Sequence, residues 1–100
     1  MPDSDSVDRH APPAIVLDAR DNVAVATTEL AAGADVRVAG HTVTLCDPIP
    51  VGHKFALGPI AEGGHVLKYG EVIGTTTSAI AAGGHVHVHN VVSARLPGVA

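Results

Sequence analysis

The stretch Asp35-Val36-Arg37-Val38-Ala39-Gly40-His41-Thr42-Val43-Thr44-Leu45 decides the fold class of this chain. Two runs that alternate apolar and polar residues flank Ala39-Gly40, and a period of two is the mark of a half-buried strand. With Ala39-Gly40 as the loop, Val38 pairs with His41, Arg37 with Thr42 and Val36 with Val43. The valines then share one face, as a hairpin register requires. Ala-Gly is a weaker turn signal than Asn-Gly, so the turn type stays open.

Outward from this hairpin, no window carries an apolar stripe at helical period. Residues 29–32 and 79–82 are alanine-rich, but each is too short to hold a helix unaided. Ala14-Ile15-Val16-Leu17 and Val23-Ala24-Val25-Ala26 read as further strands, separated by a turn cluster in which Asp21 and Asn22 form a side-chain-capped turn. Residues 1–13 are polar, acidic and rich in proline, a disordered lead-in by composition. The reading is all-β, one small domain over 14–95 with a short tail at 96–100.

A small unit recurs through that domain. Leu30-Ala31-Ala32-Gly33, Ile60-Ala61-Glu62-Gly63 and Ile80-Ala81-Ala82-Gly83 share a pattern, and Ile49-Pro50-Val51-Gly52 is a looser copy. Each reads as a strand ending on a buried aliphatic residue, then a tight turn whose glycine takes a positive φ. The glycine spacing is too irregular for a solenoid and suits one sheet structure folded back on itself. The turns also deliver His53, His65 and His85 to strand mouths, which suggests a shared rim.

Composition narrows the function. Of 100 residues, 46% are hydrophobic, yet Phe55 and Tyr69 are the only aromatics. The core must rest on valine, alanine and a few leucines and isoleucines, which stabilise little per residue. Tyr69 reads as a core residue with its hydroxyl at the surface. A net charge of −4 argues against nucleic acid, and no apolar run is long enough to span a membrane. The start of the chain lacks a signal-peptide pattern, which points to the cytoplasm. Cys46 stands alone, so no internal disulfide forms, and it reads as a small buried apolar residue.

Seven residues are histidine, and three fall in His85-Val86-His87-Val88-His89-Asn90. In a strand this spacing places all three imidazoles on one face and both valines on the other. Such imidazoles can share a divalent ion. A solvated, histidine-rich edge whose rings bond nearby carbonyls fits the same pattern, and the spacing alone leaves both open.

The segments Asp21-Asn22-Val23-Ala24-Val25-Ala26, Gly52-His53-Lys54-Phe55-Ala56-Leu57, Lys68-Tyr69-Gly70-Glu71-Val72-Ile73-Gly74 and Gly84-His85-Val86-His87-Val88-His89-Asn90, with the glycine turns, resemble a known module. It is the SAF-type small domain of the altronate and galactarate dehydratase family, and the resemblance spans about residues 14–92. It implies a β-clip, a long hairpin bent over on itself. It also implies a share in a metal-dependent lyase acting on a sugar acid or related hydroxy acid, with Fe(II) the first choice of metal and Mn, Mg or Zn the alternatives. The resemblance further implies a large catalytic subunit as partner, a hetero-oligomer, and no activity from the small chain alone. A two-subunit relative expels sulfite from sulfolactate, and that reaction is the alternative. A carbohydrate-binding SAF module and a histidine-rich metal-storage protein are the non-enzymatic readings.

Within that frame His85, His87 and His89 are the expected metal ligands. His87, His89 and Lys54 are the expected catalytic groups, and His53, Lys54 and Asn90 the expected substrate contacts. A cation beside a turn, as at Lys54, can pair with a substrate carboxylate, although a solvated surface lysine fits the same position.

Overall fold

The computed structural model describes residues 12–94, which contain nine short strands and no helix. A four-stranded antiparallel sheet runs in the order β1 (Ala14–Ile15), β2 (Val23–Ala26), β5 (Lys54–Ala56), β8 (His85–Val86). The hairpin β3 (Asp35–Val38) and β4 (His41–Thr44) stands as a two-stranded sheet. A third sheet orders β6 (His65–Lys68), β7 (Glu71–Thr76) and β9 (Val91–Ser93). The all-β reading holds, while the lead-in at 1–13 and the tail at 96–100 fall almost wholly outside the described residues.

The β3–β4 hairpin has the register its alternation demands, with Val36 opposite Val43 and Val38 opposite His41. Ala39 and Gly40 both have positive φ, 49° and 84°. That pair defines a type I′ turn, whose twist matches the strands it joins. Tyr69 and Gly70 repeat it at the tip of β6–β7, with φ of 61° and 73°. Tyr69 is therefore thrown outward and is 66% exposed, which corrects its assignment to the core. Phe55, fully buried, is the core aromatic.

The glycine turns explain how the sheets are joined. The N–H of Gly33 donates to the carbonyl of Leu45, and the N–H of Leu45 donates back to Ala34. Gly52 with Ala26, Gly63 with Thr76 and Gly83 with Ala56 repeat that exchange. Leu30 bridges Ile49, and Ile60 bridges Ile80. The four units thus form two pairs, and each pair encloses one hairpin. What reads as irregular spacing is a duplicated turn–hairpin–turn element, long across each hairpin and short across β5.

Two aliphatic clusters follow from this pairing. One gathers Val36, Val43, Leu45 and Ile49 around Phe55; the other joins Val23, Ile60, Val66, Ile80 and Val86. Cys46 lies outside both and is exposed. Its thiol points to the Ala82 carbonyl, and its N–H donates to Gly83, so it braces a turn rather than filling the core.

Candidate functional site

Strand β5 pairs with β8 so that Lys54 faces Val86 and Phe55 faces His85. One step beyond the paired segment, the same register sets residue 53 opposite residue 87. His53 has just left the Gly52 turn, and its ring stacks on that of His87 with centroids 3.9 Å apart and planes 12° apart. His85, one turn-and-strand neighbour away, brings Nε2 to 2.8 Å from His53 Nδ1. The result is a cluster of His53, His85 and His87 in which one nitrogen of each lies within 4.8 Å of the others.

The strand expected over 85–90 ends at Val86. Asn90 stops it: its buried amide oxygen accepts the His87 N–H at 2.9 Å, and its amide nitrogen donates to the His85 carbonyl at 2.8 Å. The Asn90 N–H also closes a turn onto the His87 carbonyl. An asparagine side chain that imitates backbone in this way favours a turn over extension. Asn90, expected to touch substrate, is thus a buried group that fixes His85 and His87. Val88 lies in that turn, 81% exposed, so the expectation that both valines share one face is corrected: Val86 is buried and Val88 faces out.

His89 is carried out of the ligand cluster. Its ring is exposed and tilted, 5.2 Å from that of His85. His53, expected as a substrate contact, takes its place among the candidate ligands. Only the long-range pairing of β5 with β8 brings it there. His65, which follows a turn in the same way, is exposed and is not among the clustered imidazoles, and its carbonyl accepts the Asn22 amide.

Two anchors escaped the sequence reading. The Asp47 carboxylate accepts the His85 N–H at 2.9 Å and fixes the start of β8. Asp21 is buried and accepts the N–H groups of Tyr69 at 3.0 Å and Gly70 at 2.7 Å, while Asn22 bonds both the His65 carbonyl and the Leu67 N–H. These two side chains hold the distant β6–β7 hairpin rather than capping their own turn, where the Asp18 carboxylate accepts the Arg20 N–H instead.

The electrostatics favour neutral rings. Burial pushes His85 below the ordinary histidine pKa, helped by His53, His89 and His87, with Asp47 opposing. Burial also lowers His87, with His53, Lys54 and His89 adding repulsion. Lys54 is depressed by burial and by Lys68. It forms no ion pair among the described residues. Lys54, Ile73, His87, Val88, Val91 and Ser93 line an adjoining cleft of about 180 Å³.

The donor set fits a divalent metal. Neutral imidazole is a common ligand for Zn, Fe, Cu and Ni. Two nitrogens bound to one ion at about 2.1 Å sit roughly 3–3.5 Å apart, close to the spacing of His53 and His85. The Nδ1 of His87 is buried with no hydrogen-bond partner, a costly state that a metal or proton partner relieves.

A duplicated turn–hairpin–turn element with an open rim of imidazoles defines a small β module that presents a site at its edge. The chain belongs to the SAF domain family of altronate and galactarate dehydratases, whose model matches residues 12–94. It is 54% identical over 76 residues to altronate dehydratase of Escherichia coli, a match covering 76% of this chain and 15% of that protein. It is 49% identical over 49 residues to the (2R)-sulfolactate sulfo-lyase subunit alpha of Chromohalobacter salexigens, covering 49% of this chain and 52% of that subunit. Galactarate dehydratase (L-threo-forming) of Escherichia coli is 36% identical over 77 residues, 14% of its length. The chain therefore spans about a seventh of the dehydratases that it matches.

Proposed function

We propose that this chain is the small subunit of a metal-dependent lyase that acts on a sugar acid or related hydroxy acid in the cytoplasm, together with a large catalytic chain. The observation that carries the reading is the His53–His85–His87 cluster with its unpartnered His87 Nδ1, in a family that contains dehydratases and a sulfo-lyase subunit.

The reaction class requires loss of a proton α to a carboxylate and departure of the β-substituent. His53, His85 and His87 would hold the metal, with Fe(II) the first choice and Mn, Mg or Zn the alternatives. When bound, the ion supplies Lewis-acid stabilisation of charge developing on the acid. Lys54, half-buried beside His87, places an ammonium group where it can pair with the substrate carboxylate. His89, at the exposed rim, would be the group that exchanges a proton with the substrate. Asn90 and Asp47 hold the geometry of the cluster.

A second reading, sulfite release from sulfolactate, is favoured by the match to half of a chain that is itself a separate subunit. The test is turnover by the chain alone and with a dehydratase-type large chain from the same genome, on altronate, galactarate and sulfolactate with Fe(II). The proposal expects activity only from the pair, and the leaving group, water or sulfite, selects between the two readings. Activity of this chain alone, or of the large chain equally without it, would overturn the subunit assignment.

A further inference from the structure

We propose that the groove running from Val88 to Val72 is the surface on which the large dehydratase-type chain docks, closing the open side of the histidine cluster. This rests on the subunit reading above and assigns it an interface. The cleft beside His87 is walled by Ile73, Val88 and Val91. Through Ile73 and Ser93 it continues into a second hollow bordered by Glu71 and Val72. Val88 and Val72 are both exposed.

Single exposed valines are ordinary, but Val72, Ile73, Val88 and Val91 lining one groove at the lip of a donor cluster are not. Its aliphatic walls are edged by Lys54, His87, Ser93 and Glu71, an apolar centre with a polar rim. They suit apolar side chains of a protein partner, which gain by leaving water. Val88 is also held ready: the Asn90 bonds to His85 and His87 fix the turn that presents it. A contact made by an ordered turn loses little freedom on binding.

The occupant follows from the extent of the relatives. The matched module is 15% of one dehydratase and 52% of a separate sulfo-lyase subunit. In the long chain the module must meet the remaining polypeptide, and in the short one a separate subunit does the same work. Only a face adjoining the cluster lets groups from that remainder reach a substrate held there. A second copy of this chain fits less well, since a two-fold contact at this face would bring Lys54 and the imidazoles toward a second set of themselves.

The test is co-expression with the large chain from the same genome, followed by size-exclusion chromatography and a binding titration. Val88→Asp and Val72→Asp should each weaken association by about tenfold or more, as expected for a buried apolar contact replaced by a charge. Ile15→Asp, on β1 at the opposite edge of the four-stranded sheet from β8, should leave association unchanged. Zinc binding and melting temperature of each isolated variant should match the unsubstituted chain, which separates lost docking from lost folding. If the unsubstituted chain co-elutes and both variants bind equally well, the docking surface is wrong while the subunit reading stands. If the unsubstituted chain forms no complex with the large chain, the subunit reading fails and this inference with it. A dimer of this chain alone that Val88→Asp dissolves would also overturn it.

Discussion

His53 Nδ1 lies 2.8 Å from His85 Nε2, although the two residues leave different glycine turns in different halves of a duplicated fold. At that distance one nitrogen must donate and the other accept, so the pair cannot hold protons on both facing atoms. Adding His87, stacked on His53, makes the cluster a poor place for positive charge unless that charge is a metal shared by all three.

Acid should therefore unfold the metal-free chain early. His85 and His87 sit below the ordinary value of 6.5, so the unfolded chain binds more protons than the folded one between their folded values and that point. Stability is then full above about pH 6.5 and falls as pH drops through that window. Thermal melts in a chelator between pH 7.5 and 5.5 should show a declining midpoint, and His87→Gln should flatten the decline. A midpoint independent of pH across this range would show that the rings carry no such penalty.

The valines that alternate with the histidines should part company. Val86 is 0% exposed and Val88 81%. Trimming Val86 to alanine should cost roughly 1–3 kcal/mol through lost burial and a residual cavity, a fall in melting temperature of about 4 °C or more. Val88→Ala should change stability by less than about 0.5 kcal/mol. Equal losses at both positions would mean that the strand continues past Val86.

The glycine turns offer a sharper contrast. Gly33 and Gly83 both have positive φ, 87° and 83°, but a side chain at Gly33 meets open space whereas one at Gly83 collides with the Thr44 carbonyl oxygen. Gly33→Ala should cost about 1 kcal/mol of backbone strain. Gly83→Ala should cost substantially more and should also displace His85. Urea titration of both variants, with metal affinity as second readout, checks this, and similar costs at the two sites would contradict the described packing.

Local pattern revealed what is local. The β3–β4 register, the buried Val36 and Val43, the positive-φ glycines and the absence of helix among the described residues all follow from alternation and turn chemistry between near neighbours. The candidate site was legible only in part, because it depends on distant pairing. His85 and His87 share a strand mouth and could be associated by spacing. His53 joins them through the β5–β8 register, which no local pattern encodes. His89 leaves because Asn90 folds its amide back on the backbone. Tyr69 and Cys46 failed as core residues for a related reason: residue type favours burial, while a type I′ turn and a brace between turns set their actual positions.

The central claim about this protein is that His53, His85 and His87 form a metal site. Calorimetric titration of the isolated chain with Zn(II) at pH 7.5 measures it directly, since it needs no partner and no turnover. One ion should bind per chain. Affinity should fall by about tenfold or more in His53→Ala, His85→Ala and His87→Ala and change by less than about threefold in His89→Ala, in line with the cost of losing a ligand or its support. Binding that survives His53→Ala unchanged, or that is lost in His89→Ala, would contradict that claim.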